Sequence, residues 1–512
     1  MGLYSIADLG GSVSLVLAVD IGTGSCRSAL YNQKLQCLSN EIVEYTTLYP
    51  QPDWAEQDPE VIFLAVLKAI EGTISKSDQG PNKIIALTLD CSIHTLLGLA
   101  KDLSPVTPNI TWEDSRARHL VESWKRQGLG AEIYMRTGCP LHPMYASAKI
   151  AWWREHQPDL FRRINTFVSV KAFVLQRLTG TLLEDQATVS GSGLLNIEKL
   201  DWEDTVLSLA GISRNQLPPV VDPTVSIESI RPDISRQTGL PVSTRVIIGS
   251  SDAAMSSLGS GTVDSDQMTV MIGTSGAVRR LVGCPTMDPK QRTFCYYMGN
   301  QLWFAGGAIN NGGIALRWFR DNFGERARAE AQKTGASVYK ILCDYAQKVP
   351  AGSDGLLFLP FLAGERSPHW NSSIRGTLFG LSLHHTQAHV IRALLEGICY
   401  RLHSVIQPLE NLIGKSSEIR VTGGFTRSPL WLQILSDVLG RELMVTAEPE
   451  GSVLGAAAFA YHNLGMIDSF KFLLEKNPIV QKVQPEASAY EFYQIQFDKY
   501  MHLYWKFEKE FA

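Results

Sequence analysis

Runs of apolar and polar positions along the chain predict strands that are followed by glycine turns and helices. Residues 14–20 form an apolar run, a glycine turn follows, and apolar runs flank residues 32–34, which indicates a strand and a returning hairpin. A helix is predicted near 60–71 and a strand at 83–90. Residues 245–261 predict a buried strand that runs into a helix. This alternation is typical of an α/β fold.

Later segments add four helical patterns. Helices are expected within 131–157 and at 171–178. The uncharged run at 451–467 is shorter than the roughly 20 apolar residues that cross a membrane, so it predicts a buried helix. The aromatic stretch 490–511 predicts an amphipathic helix that packs on the body of the protein.

The pattern of the first strand and turn occurs a second time. DIGTGSCRSALY at 20–31 and MIGTSGAVRRLV at 271–282 both present an apolar strand, Ile-Gly-Thr, small residues and a second apolar run. Chance explains a shared tripeptide about as well as duplication does, but the spacing of half a chain favours duplication. We therefore expect two α/β halves, 1–259 and 260–512, that pack closely around a hinge.

Composition and charge exclude several classes of protein. Hydrophobic residues make up 45% and charged residues 19% of the 512 residues, as in globular proteins. A net charge of −4 offers no broad positive field, so neither nucleic acid nor a membrane is expected as a partner. The 8 cysteines form no CxxC pair, so neither a zinc cluster nor a disulfide scaffold is expected. Residues 1–14 lack the basic segment of a secretory signal, which predicts a cytoplasmic protein. The oligomeric state stays open, with a homodimer as one expectation.

The two glycine turns are candidates for binding phosphate. They consist of Gly22, Thr23, Gly24 and Ser25 in the first half, and of Gly273, Thr274, Ser275 and Gly276 in the second. Glycine lets backbone N–H groups approach an anion, and the hydroxyls can donate to phosphate oxygens. A plain hairpin turn is the alternative for each. Asp20, beside the first turn, is placed to hold Mg²⁺ through water.

Two further loops have both a structural and a chemical interpretation. Asp252 opens a predicted helix, where it is either the N-cap or a general base for an attacking hydroxyl. Gly423 and Gly424 join a strand to a helix, either as a plain turn or as a close approach to adenosine.

Together these residues resemble the FGGY family of carbohydrate kinases, within the actin-like ATPase superfamily. The segment Gly376-Thr-Leu-Phe-Gly-Leu, followed after seven residues by His389-Val-Ile-Arg-Ala-Leu-Leu-Glu396, fits the second signature of that family. Residues 144–152 match the first signature except at Ala146, where the family has Pro, Ser or Thr. Gly24 replaces the usual Thr of the first turn. The resemblance extends over about residues 15–465.

The resemblance implies two ribonuclease H-like domains around a cleft, with ATP held mainly by the second and sugar by the first. Asp252 corresponds to the catalytic Asp of the family, and Mg²⁺ accompanies the ATP. The implied nucleotide contacts are both glycine turns, Gly312, Gly423, Gly424, Phe425 and Ser428.

Within the family, four stretches resemble gluconate kinases most: 142–153, 167–180, 307–323 and 359–370. A sugar acid brings a carboxylate, which needs a cation or N–H groups. The candidates for it are Lys149, Arg116 and Arg366, each of which is also a candidate for an ordinary ion pair. Candidate sugar contacts are His94, His142 and Trp54, for which structural packing is the alternative.

Three other functions remain open at this point. Xylulose kinase is the runner-up. Those enzymes carry a Met-His pair in this region, and the chain keeps only the His of that pair, as His94. An actin-like or Hsp70-like ATPase would share the phosphate turns but would lack the Gly376–Glu396 signature. A sugar sensor without catalysis is disfavoured by the presence of both Asp20 and Asp252.

Overall fold

The computed structural model describes residues 14–447 and 451–511. Two sheets organise the chain, and each is flanked by helices. The strands of the first half are β1 Leu15–Ile21, β2 Ser25–Tyr31, β3 Cys37–Glu44, β4 Glu56–Gln57, β5 Ile84–Cys91, β6 Leu97–Leu99, β7 Asn109–Ile110, β8 Thr166–Val168, β9 Glu184–Asp185, β10 Leu195–Asn196, β11 Asp201–Trp202, β12 Val220–Val221, β13 Ser226–Ile227 and β14 Arg245–Ile247. Its helices are α1 Pro59–Ser75, α2 Arg118–Arg126, α3 Gly130–Thr137, α4 Ala146–His156, α5 Pro158–Arg163, α6 Val170–Thr179, α7 Gln186–Ser190, α8 Asp204–Ala210, α9 Pro232–Thr238 and α10 Asp252–Gly259.

The second half contains nine strands and eight helices among the described residues. The strands are β15 Gln267–Ile272, β16 Gly276–Val282, β17 Phe294–Gly299, β18 Leu302–Ile309, β19 Leu357–Leu359, β20 Thr377–Phe379, β21 Glu418–Thr422, β22 Leu443–Thr446 and β23 Ile479–Val483. The helices are α11 Gly313–Phe323, α12 Glu325–Thr334, α13 Val338–Ala346, α14 Gln387–Ile413, α15 Pro429–Leu439, α16 Ser452–Asn463, α17 Phe472–Lys476 and α18 Ala487–Glu508.

The two main sheets repeat one topology. In the first, with strand order β13-β14-β5-β1-β2-β3, β1 pairs antiparallel with β2 and parallel with β5. In the second, with order β17-β18-β16-β15-β21-β22-β23, β15 pairs antiparallel with β16 and parallel with β21. The duplication that the repeated turn predicts is thus present in the fold, and the two-domain α/β architecture is confirmed. The exact boundary at 259/260 stays a prediction.

A helix from the second half packs against the first sheet and brings the halves together. Helix α16 lies against α10, and the two backbones meet at glycines: a Cβ at Gly455 would lie 2.0 Å from the Met255 carbonyl oxygen. Val453 to Tyr461 are buried along α16, as the uncharged run predicts. The close packing places Ser452, at the start of α16, beside the end of β1.

The remaining predicted elements are also present. The aromatic tail forms α18, whose buried residues Tyr493, Phe497, Tyr500, Leu503 and Tyr504 belong to the core of the second half. In the parts of the chain that are described, no helix combines the length and the apolar character that a membrane crossing requires.

Candidate active site

Each glycine turn is closed by a hydrogen bond from the N–H of its first glycine, over three residues in the first turn and over two in the second. The Gly22 N–H donates to the Ser25 carbonyl at 3.0 Å, and the Gly273 N–H donates to the Ser275 carbonyl at 2.9 Å. A Cβ added at Gly24 would meet nothing within 4 Å, and one at Gly273 would meet only the Met271 sulfur, at 3.6 Å. Both turns therefore present backbone to open space, as phosphate binding requires.

Helix α11 supports the second turn from behind. A Cβ at Gly312 would lie 2.4 Å from the Ser275 carbonyl oxygen, so only glycine allows this approach. The Gly313 and Ile314 N–H groups donate to the carbonyls of Gly273 and Thr274 at 2.7 and 3.0 Å. The position of Gly312 thus shapes the turn, while the turn itself faces the cleft.

The third glycine loop joins β21 to α15. Gly423 has φ +102°, and a Cβ there would lie 2.4 Å from the Ile272 carbonyl oxygen. Gly424 faces open space. Phe425 is buried against Trp431, and Ser428 caps α15 by accepting from the Trp431 N–H at 3.3 Å. Of the four residues predicted to contact nucleotide here, Phe425 and Ser428 therefore have structural partners that fix the loop.

Asp20, Asp90 and Asp252 interact electrostatically near the end of the first sheet, although the described residues contain no group of three or more His, Cys, Asp or Glu side chains that could hold a metal ion. Asp20 on β1 is paired in register with Asp90 on β5. The charge of Asp20 raises the pKa of Asp252, and the charge of Asp252 raises the pKa of Asp90. The Asp20 Oδ2 accepts from Ser452 Oγ at 2.6 Å, but its Oδ1 and both Asp90 oxygens are buried without a hydrogen-bond partner. Burial, followed by the charge of Asp20, raises the pKa of Asp90 well above its usual range. Buried carboxylate oxygens without donors suit a divalent cation.

Asp252 is not the cap of its helix. The N-cap of α10 is Ser251, whose side chain accepts from the Ala254 N–H, and Asp252 is the first helical residue. Its Oδ1 accepts from the Ala253 N–H at 2.6 Å. Burial, followed by the charge of Asp20, raises the pKa of Asp252 to about 7. A carboxylate with this pKa is poised to accept a proton near neutral pH.

A cavity of about 550 Å³ lies between the halves; Asp252 lines it, whereas Asp20 and Asp90 are not among its lining residues. Its lining includes Thr23, Gly24, His94, Asp252, Gly273, Thr274, Ser275, Arg279, Tyr296 and Arg366. Residues of the first phosphate turn, of the second phosphate turn and the Asp252 carboxylate thus share one space. That arrangement can bring a nucleotide phosphate and a hydroxyl acceptor together.

His94 faces this cavity as a neutral ring. Its Nδ1 contacts the carbonyl oxygen of Gly191, so Nδ1 carries the proton and Nε2 is left as an acceptor. Burial lowers the pKa of His94 to about 3, which keeps the ring uncharged. A neutral ring with a free acceptor can take a hydrogen bond from a sugar hydroxyl.

Arg279 and Arg366 are buried cations with unused donors. Nε and Nη1 of Arg279 and Nε of Arg366 lack hydrogen-bond partners, although the two side chains are only 8% and 7% exposed. The Arg366 guanidinium lies 4.7 Å from the Trp112 ring centroid. Burial lowers the pKa of Arg279 to about 10, against the opposing effect of Asp252. Because buried donors need acceptors, the pair favours an anionic ligand.

The chain as a whole matches one family of enzymes. Residues 15–259 match the N-terminal domain, and residues 268–464 the C-terminal domain, of the FGGY family of carbohydrate kinases. The chain belongs to the FGGY family. It is therefore a phosphotransferase whose acceptor is an alcohol group, as the resemblance implies.

Relatives of this FGGY kinase include enzymes of two sugar specificities. The chain is 38% identical over 459 residues to a gluconokinase of Bacillus subtilis, with 89% of each chain covered. The crystal structure of gluconate kinase from Lactobacillus acidophilus superposes with a TM-score of 0.90 at 30% identity, covering 98% of this chain and 99% of that one. Ligand-bound xylulose kinase from Lactobacillus acidophilus gives 0.89 at 30% identity, covering 96% and 98%.

Four predicted sugar contacts of this FGGY kinase have other surroundings. Lys149 is fully buried and its Nζ donates to the carbonyls of His94 and Thr111 at 2.9 and 2.7 Å. The Arg116 guanidinium forms ion pairs with Asp114 and Glu56 and covers the Trp54 ring at 3.9 Å. Neither cation is among the residues that line the main cavity. Because protein groups already bind two of the three Lys149 donors and both Nε and Nη2 of Arg116, contact of either residue with the sugar carboxylate stays a prediction.

Trp54 and His142 line a second cavity of about 330 Å³, which shares Tyr49, Trp112, Glu113 and Thr274 with the main one. The His142 Nε2 is buried there without a partner. These two residues thus adjoin the main cavity without lining it, and their contact with sugar stays a prediction.

The second FGGY signature has a structural role in this chain. Glu396, its last residue, is buried in α14 and accepts from the Gly352 N–H, Arg392 Nε and the Tyr493 hydroxyl. It thereby joins α14 to α18 and to the turn before β19. The most recognisable segment of the sequence is thus part of the scaffold.

Proposed function

We propose that this protein is an ATP-dependent kinase that phosphorylates D-gluconate on its terminal hydroxyl to give 6-phosphogluconate. The observation that carries the proposal is the pair Arg279 and Arg366, whose unpartnered N–H groups line the same cavity as Asp252. An acceptor with a carboxylate at one end and a hydroxyl at the other satisfies both. The similarity to gluconokinases supports the same substrate.

The phosphate of ATP is held by the glycine turns in this proposal. Backbone N–H groups and the Thr23, Thr274 and Ser275 hydroxyls are its donors, and Gly424 leaves room for the nucleoside. Asp20 and Asp90 would hold Mg²⁺, because the Asp20 Oδ1 and both Asp90 oxygens are buried without a hydrogen-bond donor. When bound, Mg²⁺ supplies positive charge that neutralises the phosphate oxygens.

Asp252 acts as the general base. Its carboxylate accepts the proton of the attacking hydroxyl, and a base of this kind contributes about 10²- to 10⁴-fold in rate. His94 accepts a hydrogen bond from a substrate hydroxyl through Nε2. Arg366 and Arg279 hold the carboxylate, so that the substrate spans from them to Asp252. Most of the catalysis is thus positioning and charge stabilisation.

The deciding experiment is a panel of acceptors assayed for ATP-dependent phosphorylation: D-gluconate, D-xylulose, glycerol and water. We expect the highest kcat/KM with gluconate. A preference for D-xylulose would assign the enzyme to the second candidate, which the structural similarity to xylulose kinase supports. ADP release at the same rate with and without any sugar would reject a sugar kinase in favour of an actin-like ATPase.

A further inference from the structure

Lys171 is a buried cation next to the loop that leads into Asp252. It is 1% exposed and lies in the first turn of α6. Its Nζ donates to the carbonyls of Gly249 and Ser250 at 2.7 and 2.9 Å and to the Thr188 hydroxyl at 3.4 Å. It also forms an ion pair with the Asp185 carboxylate at 2.9 Å. An ammonium group has three N–H donors, so these contacts use all of them. Lys171 therefore binds the backbone carbonyls of this loop and has no donor left for a ligand.

The loop formed by Gly249 and Ser250 has further close contacts on its other sides. Gly249 has φ +77°, and a Cβ there would lie 2.0 Å from the Leu89 carbonyl oxygen, next to Asp90. The Ser250 hydroxyl donates to the Met298 carbonyl at 2.7 Å, in the second half of the chain. Asp252 follows two residues later. A shift of the Gly249 and Ser250 carbonyls would thus also move the backbone of Asp252.

The partner of Lys171 also links the base to the sugar side of the cavity. Asp185 caps α7 by accepting from the Thr188 N–H at 2.8 Å. At the other end of α7, the Gly191 carbonyl accepts from His94. One short helix therefore supports the Asp252 loop at its first end, through Lys171, and the His94 ring at its second.

We propose that Lys171, held by Asp185, is a positioning residue that fixes the backbone before Asp252 in the orientation needed for proton transfer. The proposal rests on the assignment of Asp252 as the base in the proposed function. It predicts that loss of Lys171 acts on the chemical step through Asp252. None of the hydrogen bonds of Lys171, nor its ion pair, reaches a phosphate turn, so ATP binding should be spared.

The test is a double-mutant cycle in the full-length protein. Lys171→Met should lower kcat by about tenfold or more, with the KM for ATP within about twofold of wild type. In an Asp252→Asn background, the same change should cost less than about threefold, because the base it positions is already lost. The matched control is Lys149→Met, which removes another buried lysine that donates to two carbonyls. Its effect on kcat should be the same factor in both backgrounds.

A folded Lys171→Met protein with wild-type kcat, or with the same fold-loss in both backgrounds, would overturn the proposal. Should Lys171→Met not fold, Asp185→Asn serves instead, because Asn still caps a helix. It should lower kcat by about threefold, again only when Asp252 is present, and an unchanged kcat would reject the positioning role.

The cycle is run with whichever acceptor, water included, the wild-type protein uses fastest. A wild-type preference against gluconate then rejects the proposed substrate, whereas additive losses reject the role of Lys171.

Discussion

Asp20 and Asp90 lie opposite each other on two adjacent parallel strands, and their carboxyl groups are buried together at the end of the first sheet. Two carboxylates in such a place repel each other unless a proton or a cation intervenes. We therefore expect a cation to bind beside them, because a bound cation would replace this repulsion by attraction.

The first prediction follows from this pair. Asp20→Asn should lower kcat by about 100-fold and raise the Mg²⁺ concentration that gives half-maximal rate, since one anionic ligand is lost. The measurement is initial rate against Mg²⁺ at saturating ATP. Ser452→Ala, which removes only the hydrogen bond to Asp20, is the control and should change kcat by about threefold or less. An unaltered Mg²⁺ dependence in Asp20→Asn would separate this residue from the metal.

The second prediction concerns the base. Asp252→Asn should lower kcat by about 10² or more while the melting temperature stays close to that of wild type, because Ser251 still caps α10. Steady-state kinetics and thermal unfolding measure the two effects. If kcat stays within about threefold, Asp252 is not the base.

Asp252 also shows what the sequence determines and what it leaves open. The glycine turns, the hairpins and the helix after residue 251 follow from local patterns, because strand periodicity and glycine act over a few residues. Whether Asp252 caps or reacts depends on which of two neighbouring polar side chains takes the cap. Ser251 takes it, and only the three-dimensional structure reveals that.

The arginines show the same limit more sharply. Arg279 and Arg280 are consecutive in β16, so their side chains point to opposite faces of the sheet. Arg280 donates to the Ser265 and Gly414 carbonyls, while Arg279 lines the cleft. Two charges inside an apolar strand were the available signal for a site. The choice between them, and the occupied donors of Lys149 and Arg116, depend on contacts between residues that are distant in sequence.

The third prediction is a pH dependence. A general base must be ionised, and burial raises the pKa of Asp252 from 3.8 to about 7. The kcat/KM for gluconate should therefore fall about tenfold per pH unit below about 7 and level off above it. An ordinary carboxylate would keep the profile flat down to about pH 5. A flat profile between about pH 5 and 8 would contradict the raised pKa.

The fourth prediction concerns the second phosphate turn. Gly273→Val places a β-branched side chain in the open space that the turn presents to the cleft, so ATP binding should weaken while gluconate binding is retained. Calorimetry with each ligand measures this. Gly283→Val is the matched control, because a Cβ there meets nothing within 4 Å and Gly283 lies just after β16, outside the turn. Equal ATP affinity in the two folded variants would exclude the turn from the nucleotide site.

The fifth prediction separates a sugar acid from an uncharged sugar. Arg366→Met removes a buried guanidinium that has an unused donor, so gluconate should lose a charge-assisted hydrogen bond of about 1.5 to 3 kcal/mol, or about 10- to 150-fold in kcat/KM. D-Xylulose has no carboxylate that would be left without a donor, so its kcat/KM should fall less. The gluconate-to-xylulose ratio of kcat/KM should therefore fall by about tenfold. Arg279→Met should lower the rate with both acceptors as well, because Arg279 also acts on Asp252.

Lys149→Met and Arg116→Met provide the contrast for the fifth prediction. Most of their donors bind the carbonyls of His94 and Thr111 or the carboxylates of Asp114 and Glu56, so any loss should be the same for both acceptors. Selective loss of gluconate turnover in these two variants, with Arg366→Met unselective, would return the carboxylate to the first half of the chain. If the wild-type enzyme prefers D-xylulose, the assignment of a sugar acid as substrate is wrong. The two buried arginines would then need a different anion as ligand, and the phosphate of ATP is the anion that the proposed nucleotide site places in the same cleft.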